Sequence, residues 1–332
     1  MKNDPLGDIR RRIAAGRRWA ITSHLRPDGD SICTSLALAF SLRRMGKVAH
    51  VVNKDKTPFP FHLFADNKHI RVGQIPPRGY DGIILLECAD VSRSGQEGLD
   101  GYYKINIDHH YSNDFYGDIN WVNPKAAAVG EMAFALVERL GCGWTPRVAN
   151  HLYCAIASDT GSFQFSNTTA EALDVSSRLV RLGASPIRVS ERLFSNYAPE
   201  KIRLLGRVLA SLRMNAGGNL AVITMFRRDL SDFNHNEVDT EDITTLARSI
   251  KGVEVVLFFK EMDKPQTFRV SIRSKGRAHA AAIAEKFGGG GHAHAAGFTA
   301  VGDYDRLARE IPAAVEEMLR RGVGPNGKRS SA

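Results

Sequence analysis

Four stretches of the chain end in side chains that hold cations or move protons. His24 is followed by two aspartates, Asp28 and Asp30, in His-Leu-Arg-Pro-Asp-Gly-Asp. Glu87 follows the apolar run from Ile83 to Leu86, with Asp90 close behind. Asp108, His109 and His110 stand together, and Asp159 opens an Asp-Thr-Gly. Each of these alone is compatible with a surface loop or a turn. Gathered in one place, carboxylates at this density repel one another and resist ionisation unless a cation offsets the charge. Mixed imidazole and carboxylate donors suit manganese, zinc, cobalt or iron rather than calcium. Within the first motif, Pro27 and Gly29 force a tight loop, so that Asp28 and Asp30 point two ways, toward two ions. Ser31 then opens a helix whose N-terminal N–H groups favour an anion such as phosphate. Two ions about 3.5–4 Å apart polarise a phosphoryl group and deprotonate a bridging water.

The elements that must position these residues are readable in outline. Trp19 to Ser23, Val48 to Val52, Ile83 to Leu86 and Ile105 to Ile107 read as strands. Ser31 to Met45 has apolar residues at helical spacing, and 130–140, 146–157 and 168–182 also read as helices. Thr168 or Thr169 is a plausible N-cap and Gly183 a C-cap. Strands alternating with helices imply a parallel sheet covered on both faces, with ligands beyond the carboxyl ends of the strands. The second half has a different texture. A helix near Pro199 to Leu212 precedes a turn at 215–218, then strands at 220–226, 253–260 and 267–272. Ala278 to Phe287 reads as a helix, broken by four glycines at 288–291. A last helix covers Tyr304 to Arg321, and the basic tail from Gly322 has the composition of a disordered end.

Bulk properties set limits around this. A length of 332 residues suggests two domains, and 43% hydrophobic with 24% charged residues is the globular range. The net charge of +9 favours polyanions or serves solubility alone, and by itself selects neither. Cys33, Cys88, Cys142 and Cys154 form no CxxC pair and suit free thiols in a reducing compartment. No signal-peptide core and no apolar run of about 18 residues is present, so the reading is a cytoplasmic protein with no membrane partner.

As an ordered set these motifs resemble the DHH phosphoesterase superfamily, named for the triplet seen here as Asp108-His109-His110. More narrowly, the chain resembles its stand-alone bacterial nanoRNase/pAp-phosphatase type, from about residue 8 to 320. The resemblance implies an α/β fold: an N-terminal parallel-sheet DHH domain (8–190), a linker or connecting helix (191–205) and a smaller C-terminal α/β domain with a mixed sheet (206–321). An active-site cleft would lie between the two domains, and 322–332 would be the tail. It implies one ion held by His24, Asp28 and Glu87, and a second by Asp30, Glu87, His109 and Asp159, both usually Mn2+. Asp108 would orient a histidine, and His110 would face the phosphate. Gly288-Gly289-Gly290-Gly291-His292 matches the GGGH loop of the family's associated C-terminal domain, whose glycines let backbone N–H groups nest around an anion. Arg273 and Ser274 match that domain's substrate-binding Arg-Ser position, and arginine suits bidentate phosphate contact. Phe163 and Phe165 could stack a base, although core packing is the commoner use.

Two positions depart from the family pattern. Glu87 stands where aspartate is usual, and Cys33 where a glycine is common after the first motif. The implied activity is hydrolysis of short oligoribonucleotides and linear dinucleotides to mononucleotides, and of adenosine 3′,5′-bisphosphate to AMP. Cyclic-dinucleotide hydrolysis, or a catalytically silent nucleotide-binding regulator, are the alternatives. Self-association as a homodimer is left open.

Overall fold

In a computed structural model, which describes residues 4–194, 197–230 and 241–321, the chain divides into two units, residues 1–196 and 197–332. The first unit begins with α1 (Pro5–Ala15), where Asp4 accepts the Gly7 N–H and Pro5 supplies a first position that needs no donor. Six strands follow: β1 (Arg18–Ser23), β2 (Val48–Asn53), β3 (Ile70–Val72), β4 (Gly82–Leu86), β5 (Lys104–Asp108) and β6 (Ile119–Val122). Helix α2 (Gly29–Arg44) joins β1 to β2. Helices α3 (Val129–Leu140), α4 (Pro146–Asp159), α5 (Ala170–Arg181) and α6 (Pro186–Phe194) come after the last strand. Thr169 is the N-cap of α5, accepting the Ala172 N–H.

Strand order is β3-β2-β1-β4-β5-β6, and every pairing is parallel. The order reverses between β1 and β4, where connections diverge and leave a crevice at the carboxyl ends. Register sets Ser23 opposite Leu86 and Leu86 opposite Ile107. The next residues, His24, Glu87 and Asp108, therefore leave the sheet side by side. The edge strands β3 and β6 escape the sequence reading because they are short and only partly buried, which removes the apolar signal.

The two faces of the sheet are covered differently. Trp19, Ile21, Ile84, Leu86, Ile105 and Ile107 pack in one core with residues of all six helices. The opposite face, with Ala20, Val52, Ile83 and Leu85, is closed by Ile75, Leu99, Tyr102 and neighbouring loops. Helices on one face, with loops and 3-10 turns on the other, replace the symmetric cover that alternation suggested. The reason is that among the described connections from β2 to β6 no α-helix forms.

The second unit holds α7 (Pro199–Ala210), β7 (Arg213–Met214), β8 (Leu220–Met225), α8 (Glu241–Arg248), β9 (Val255–Glu261), β10 (Thr267–Ser274), α9 (Ala280–Lys286), β11 (Gly290–His292), β12 (Ala295–Val301) and α10 (Tyr304–Arg321). Its sheet runs β11-β12-β10-β9-β8-β7 and is mixed, β8 and β9 being parallel and the other pairs antiparallel. Here helices cover both faces. Leu257, Val270 and Ile272 pack with α9 and α10, while Ile223, Val256 and Phe258 pack with α7 and α8. Leu204, Leu205 and Val208 bury α7 in this second core, so that helix belongs to the unit and does not merely link. The expected tail from Gly322 lies outside the described residues.

Candidate metal centre

The residues that leave β1, β4 and β5 meet around Glu87. One Glu87 oxygen (Oε2) lies 3.6 Å from His24 Nε2, and the other (Oε1) lies 3.5 Å from His109 Nε2. His24 Nε2 is also 3.6 Å from Asp28 Oδ2, and His109 Nε2 is 3.9 Å from Asp159 Oδ2. Two groups of donors result, His24–Asp28–Glu87 and Asp30–Glu87–His109, each with ligand atoms within 4.8 Å of one another. Asp159, the last residue of α4, adjoins the second group, at the carbonyl end of a helix where a cation is favoured.

Local structure explains each orientation. Asp28 is the N-cap of α2; Oδ1 accepts the Ser31 N–H, which leaves Oδ2 toward His24. The helix end that composition offered to phosphate thus holds a candidate ligand of its own. Gly29 is obligatory for close approach, since a Cβ there would meet Ser158 Oγ at 2.1 Å and Phe61 Cζ at 2.3 Å. Asp30 is buried and accepts the N–H groups of Val129 (2.5 Å) and Gly130 (2.9 Å) and the Thr34 hydroxyl (2.8 Å). It therefore caps α3, whose own N-cap position, Ala128, has no side-chain acceptor. His24 and His109 each use Nδ1 to donate to a carbonyl, of Leu25 (2.8 Å) and Ala126 (3.1 Å), and this tautomer leaves Nε2 as the acceptor that a cation needs.

Asp108 is fully buried, and the imidazole it hydrogen-bonds is that of His110. Its Oδ1 accepts from His110 Nδ1 (2.7 Å) and the His109 and His110 N–H groups, and its Oδ2 accepts the Asn113 amide (2.6 Å). Asn113 is tied in turn to Asn106, and Asn106 to Asn120. The histidine that Asp108 orients is thus His110. These asparagines escaped the sequence reading; an Asn inside the apolar Ile105–Ile107 strand was the available signal. Asp90 is taken up capping a 3-10 turn, where it accepts the Arg93 N–H and the Ser92 hydroxyl, and it joins neither donor group.

The electrostatics are those of a site short of positive charge. Burial and the carboxylates of Asp30 and Asp28 push Glu87 well above the usual carboxylate range. Burial and Asp30 push Asp159 up to about 7. Asp28 is held at about 2: desolvation raises it, but the hydrogen bond and charge of His24 and the Ser31 N–H outweigh that. Glu87 also has φ +56°, left-handed backbone that costs a non-glycine residue about 1–3 kcal/mol. A donor set that is mutually repulsive, strained and oriented through Nε2 fits divalent cation binding.

In the second unit, register aligns the other predicted residues in a row. Arg273 lies opposite Ala295, and Ala295 opposite His292. Gly290–His292 is an edge strand paired with β12 rather than an open nest, so N–H groups on its outer side face away from the sheet. Gly289 and Gly291 are required by close packing, because a Cβ would lie 2.3 Å from the Gly297 carbonyl oxygen and 2.5 Å from Ala296 Cα, respectively. Gly290 meets nothing within 4 Å and has no positive φ, so the fold gives no reason of its own for glycine there. Ser274 is buried; its hydroxyl donates to the Ala278 carbonyl (2.8 Å) and lies 3.1 Å from His294 Nδ1.

Comparison with known proteins agrees with these two units. The "DHH family, N-terminal domain" matches residues 18–156, and the "DHHA1 domain" matches residues 217–321. A relative named "Bifunctional oligoribonuclease and PAP phosphatase NrnA", from Thermus thermophilus, is 34% identical over 302 residues, 91% of this chain and 90% of its own. The chain belongs to the DHH family and joins a DHH domain to a DHHA1 domain. Among solved structures, an exopolyphosphatase-related protein from Bacteroides fragilis superposes with a TM-score of 0.86 at 24% identity, covering 95% of this chain and 96% of that one. RecJ from Thermus thermophilus, in complex with Mn2+, shares the fold at a TM-score of 0.54 and 15% identity, with 98% of this chain covering 56% of its length.

Proposed function

We propose that this chain hydrolyses short oligoribonucleotides and linear dinucleotides to mononucleotides, and adenosine 3′,5′-bisphosphate to AMP, using two divalent cations, both manganese. That it is a hydrolase of phosphoester bonds follows from its family; the substrates named for its Thermus thermophilus relative support the narrower reading. The observation that carries the two-cation reading is Glu87, whose two carboxylate oxygens each face a different imidazole. His24, Asp28 and Glu87 would hold one ion, and Asp30, Glu87, His109 and Asp159 the other. The Mn2+ in RecJ, which shares the fold, supports a divalent cation at such a site, and the mixed imidazole and carboxylate donors suit manganese. Such a pair supplies Lewis-acid polarisation of the phosphoryl group and an acidified water.

The protein's own groups do the rest. Asp108 fixes the His110 ring through Nδ1, leaving Nε2 to hydrogen-bond a phosphate oxygen. Arg273 and the Gly289-Gly290-Gly291-His292 segment would grip a second, terminal phosphate, with Ser274 bracing the adjoining turn. A cytoplasmic place of action suits buried free thiols such as Cys33, Cys88 and Cys154. No described helix is long and apolar enough to cross a membrane.

The test is a panel of RNAs of two, five and twenty residues, adenosine 3′,5′-bisphosphate and cyclic dinucleotides, each with manganese, magnesium and cobalt. Manganese-dependent turnover that is fastest on the dinucleotide is expected. Equal rates on all three RNAs would sink the length preference, and binding without turnover at any metal would sink the enzyme.

A further inference from the structure

Among the described side chains, the exposed aromatics are Tyr111 (88%), Phe115 (62%) and Phe165 (42%); the other described phenylalanines, tyrosines and tryptophans are at least partly buried. All three stand within six residues of His109 or Asp159. Those two side chains approach to 3.9 Å, so the stretches that carry the rings leave from one point. Neither stretch is frayed. Tyr111 follows a turn locked by Asp108, which accepts two backbone N–H groups and the Asn113 amide, while the Asp114 N–H donates to the Ala89 carbonyl. Phe165 donates its N–H to the Thr160 carbonyl, and its ring lies over Gly161, where a Cβ would come within 2.4 Å. Asn167 ties that loop down through the carbonyls of Asp159 and Ala127. Phe163, two residues earlier, packs against the core, so this segment buries one ring and shows the next.

We propose that Tyr111 and Phe165 form a stacking platform for nucleobases beside the cation centre. Bases next to the scissile phosphate would stack on these rings through their faces. Every base has such a face, so the platform grips nucleotides without reading sequence. The proposal deepens the reading of this site as one for short RNA and rests on it.

The test uses full-length protein, a ribodinucleotide, the same compound lacking its bases, and a phosphorothioate-linked dinucleotide carrying the fluorescent base 2-aminopurine. Tyr111→Ala is expected to raise KM for the dinucleotide about tenfold, as for loss of one stacked base, with kcat little changed. Phe165→Ala acts in the same direction, and Tyr111→Phe recovers most of the loss. The baseless compound is expected to show the same KM with every variant, and quenching of 2-aminopurine on binding should need Tyr111. Unchanged KM and quenching in both alanine variants would overturn the platform, as would an equal effect on the baseless compound. Tyr111-dependent quenching without turnover by the unaltered protein would keep the platform and overturn the phosphoesterase. Neither binding nor turnover would overturn both.

Discussion

Glu87 is 2% exposed, has left-handed backbone, and is pushed above the carboxylate range by burial and by Asp30 and Asp28. Replacing it with glutamine keeps the shape and removes a charge that the metal-free protein holds at a loss. Glu87→Gln is therefore expected to leave the melting temperature of the metal-free protein unchanged or higher, while abolishing the rise on adding Mn2+. Activity should fall more than about 100-fold, since groups that merely orient metal ligands are worth roughly 10–100-fold. Thermal melts with and without Mn2+, alongside kcat, check both halves. On the proposed assignment Asp159→Ala removes a donor of the second ion only, so calorimetry is expected to find one Mn2+ bound to the variant and two to the parent. Retention of normal activity would exclude Asp159 as a ligand.

At the scale of elements, the same groups that would hold cations also join helices. Asp30 bonds Thr34 of its own helix and the first N–H groups of α3. Asp30→Ala leaves those buried donors unpaired and is expected to cost about 3 kcal/mol in urea unfolding, even without metal. Gly29→Ala drives a Cβ into Ser158 and Phe61, forcing α2 away from the end of α4, and should lower Mn2+ affinity although no ligand changes. A second join lies far from the chemistry in sequence. Asp66 accepts from Arg147 (2.9 Å at Nε) and His151 (2.8 Å) and so ties residues 65–69 to α4. Burial raises its carboxyl, but these two partners outweigh that and hold it well below the usual range. A depressed carboxylate stabilises the fold above its unfolded pKa, near 4, and that contribution is lost as pH falls further. Asp66→Asn should therefore destabilise the protein at pH 7 by about 1–2 kcal/mol, and its difference from the parent should shrink progressively as pH falls below about 4. Melting curves across pH 2–7 read this directly.

For the whole molecule, each unit has its own sheet and its own core, and the six candidate cation ligands all lie in the first. Residues 1–196 produced alone are expected to fold and bind Mn2+ with the parent's stoichiometry. If Arg273 and β11 grip a terminal phosphate as proposed, residues 1–196 alone should lose at least about tenfold in affinity for a dinucleotide. Equal affinity would remove the second unit from substrate binding. With a net charge of +9, KM for RNA should also rise with ionic strength.

The sequence by itself determined which side chains could act and which strands would deliver them. His24, Glu87 and the Asp108-His109-His110 triplet follow apolar runs directly, and the continuous apolar run of a parallel strand buried on both faces is a local signal. The glycine run and Arg273 were legible for the same reason, each sitting at the end of a periodic segment. Tertiary structure decided what crosses between segments: that β4 lies between β1 and β5, so Glu87 faces two imidazoles, and that the first N–H groups of α3 close on Asp30. It also placed Asn113 under Asp108, turned the GGGH segment into an edge strand, and left Tyr111 in water next to His110. The strand neighbours and the Asp30 cap depend on contacts between residues far apart in the chain, and the others on the geometry of local turns or on exposure; none of these carries a sequence period.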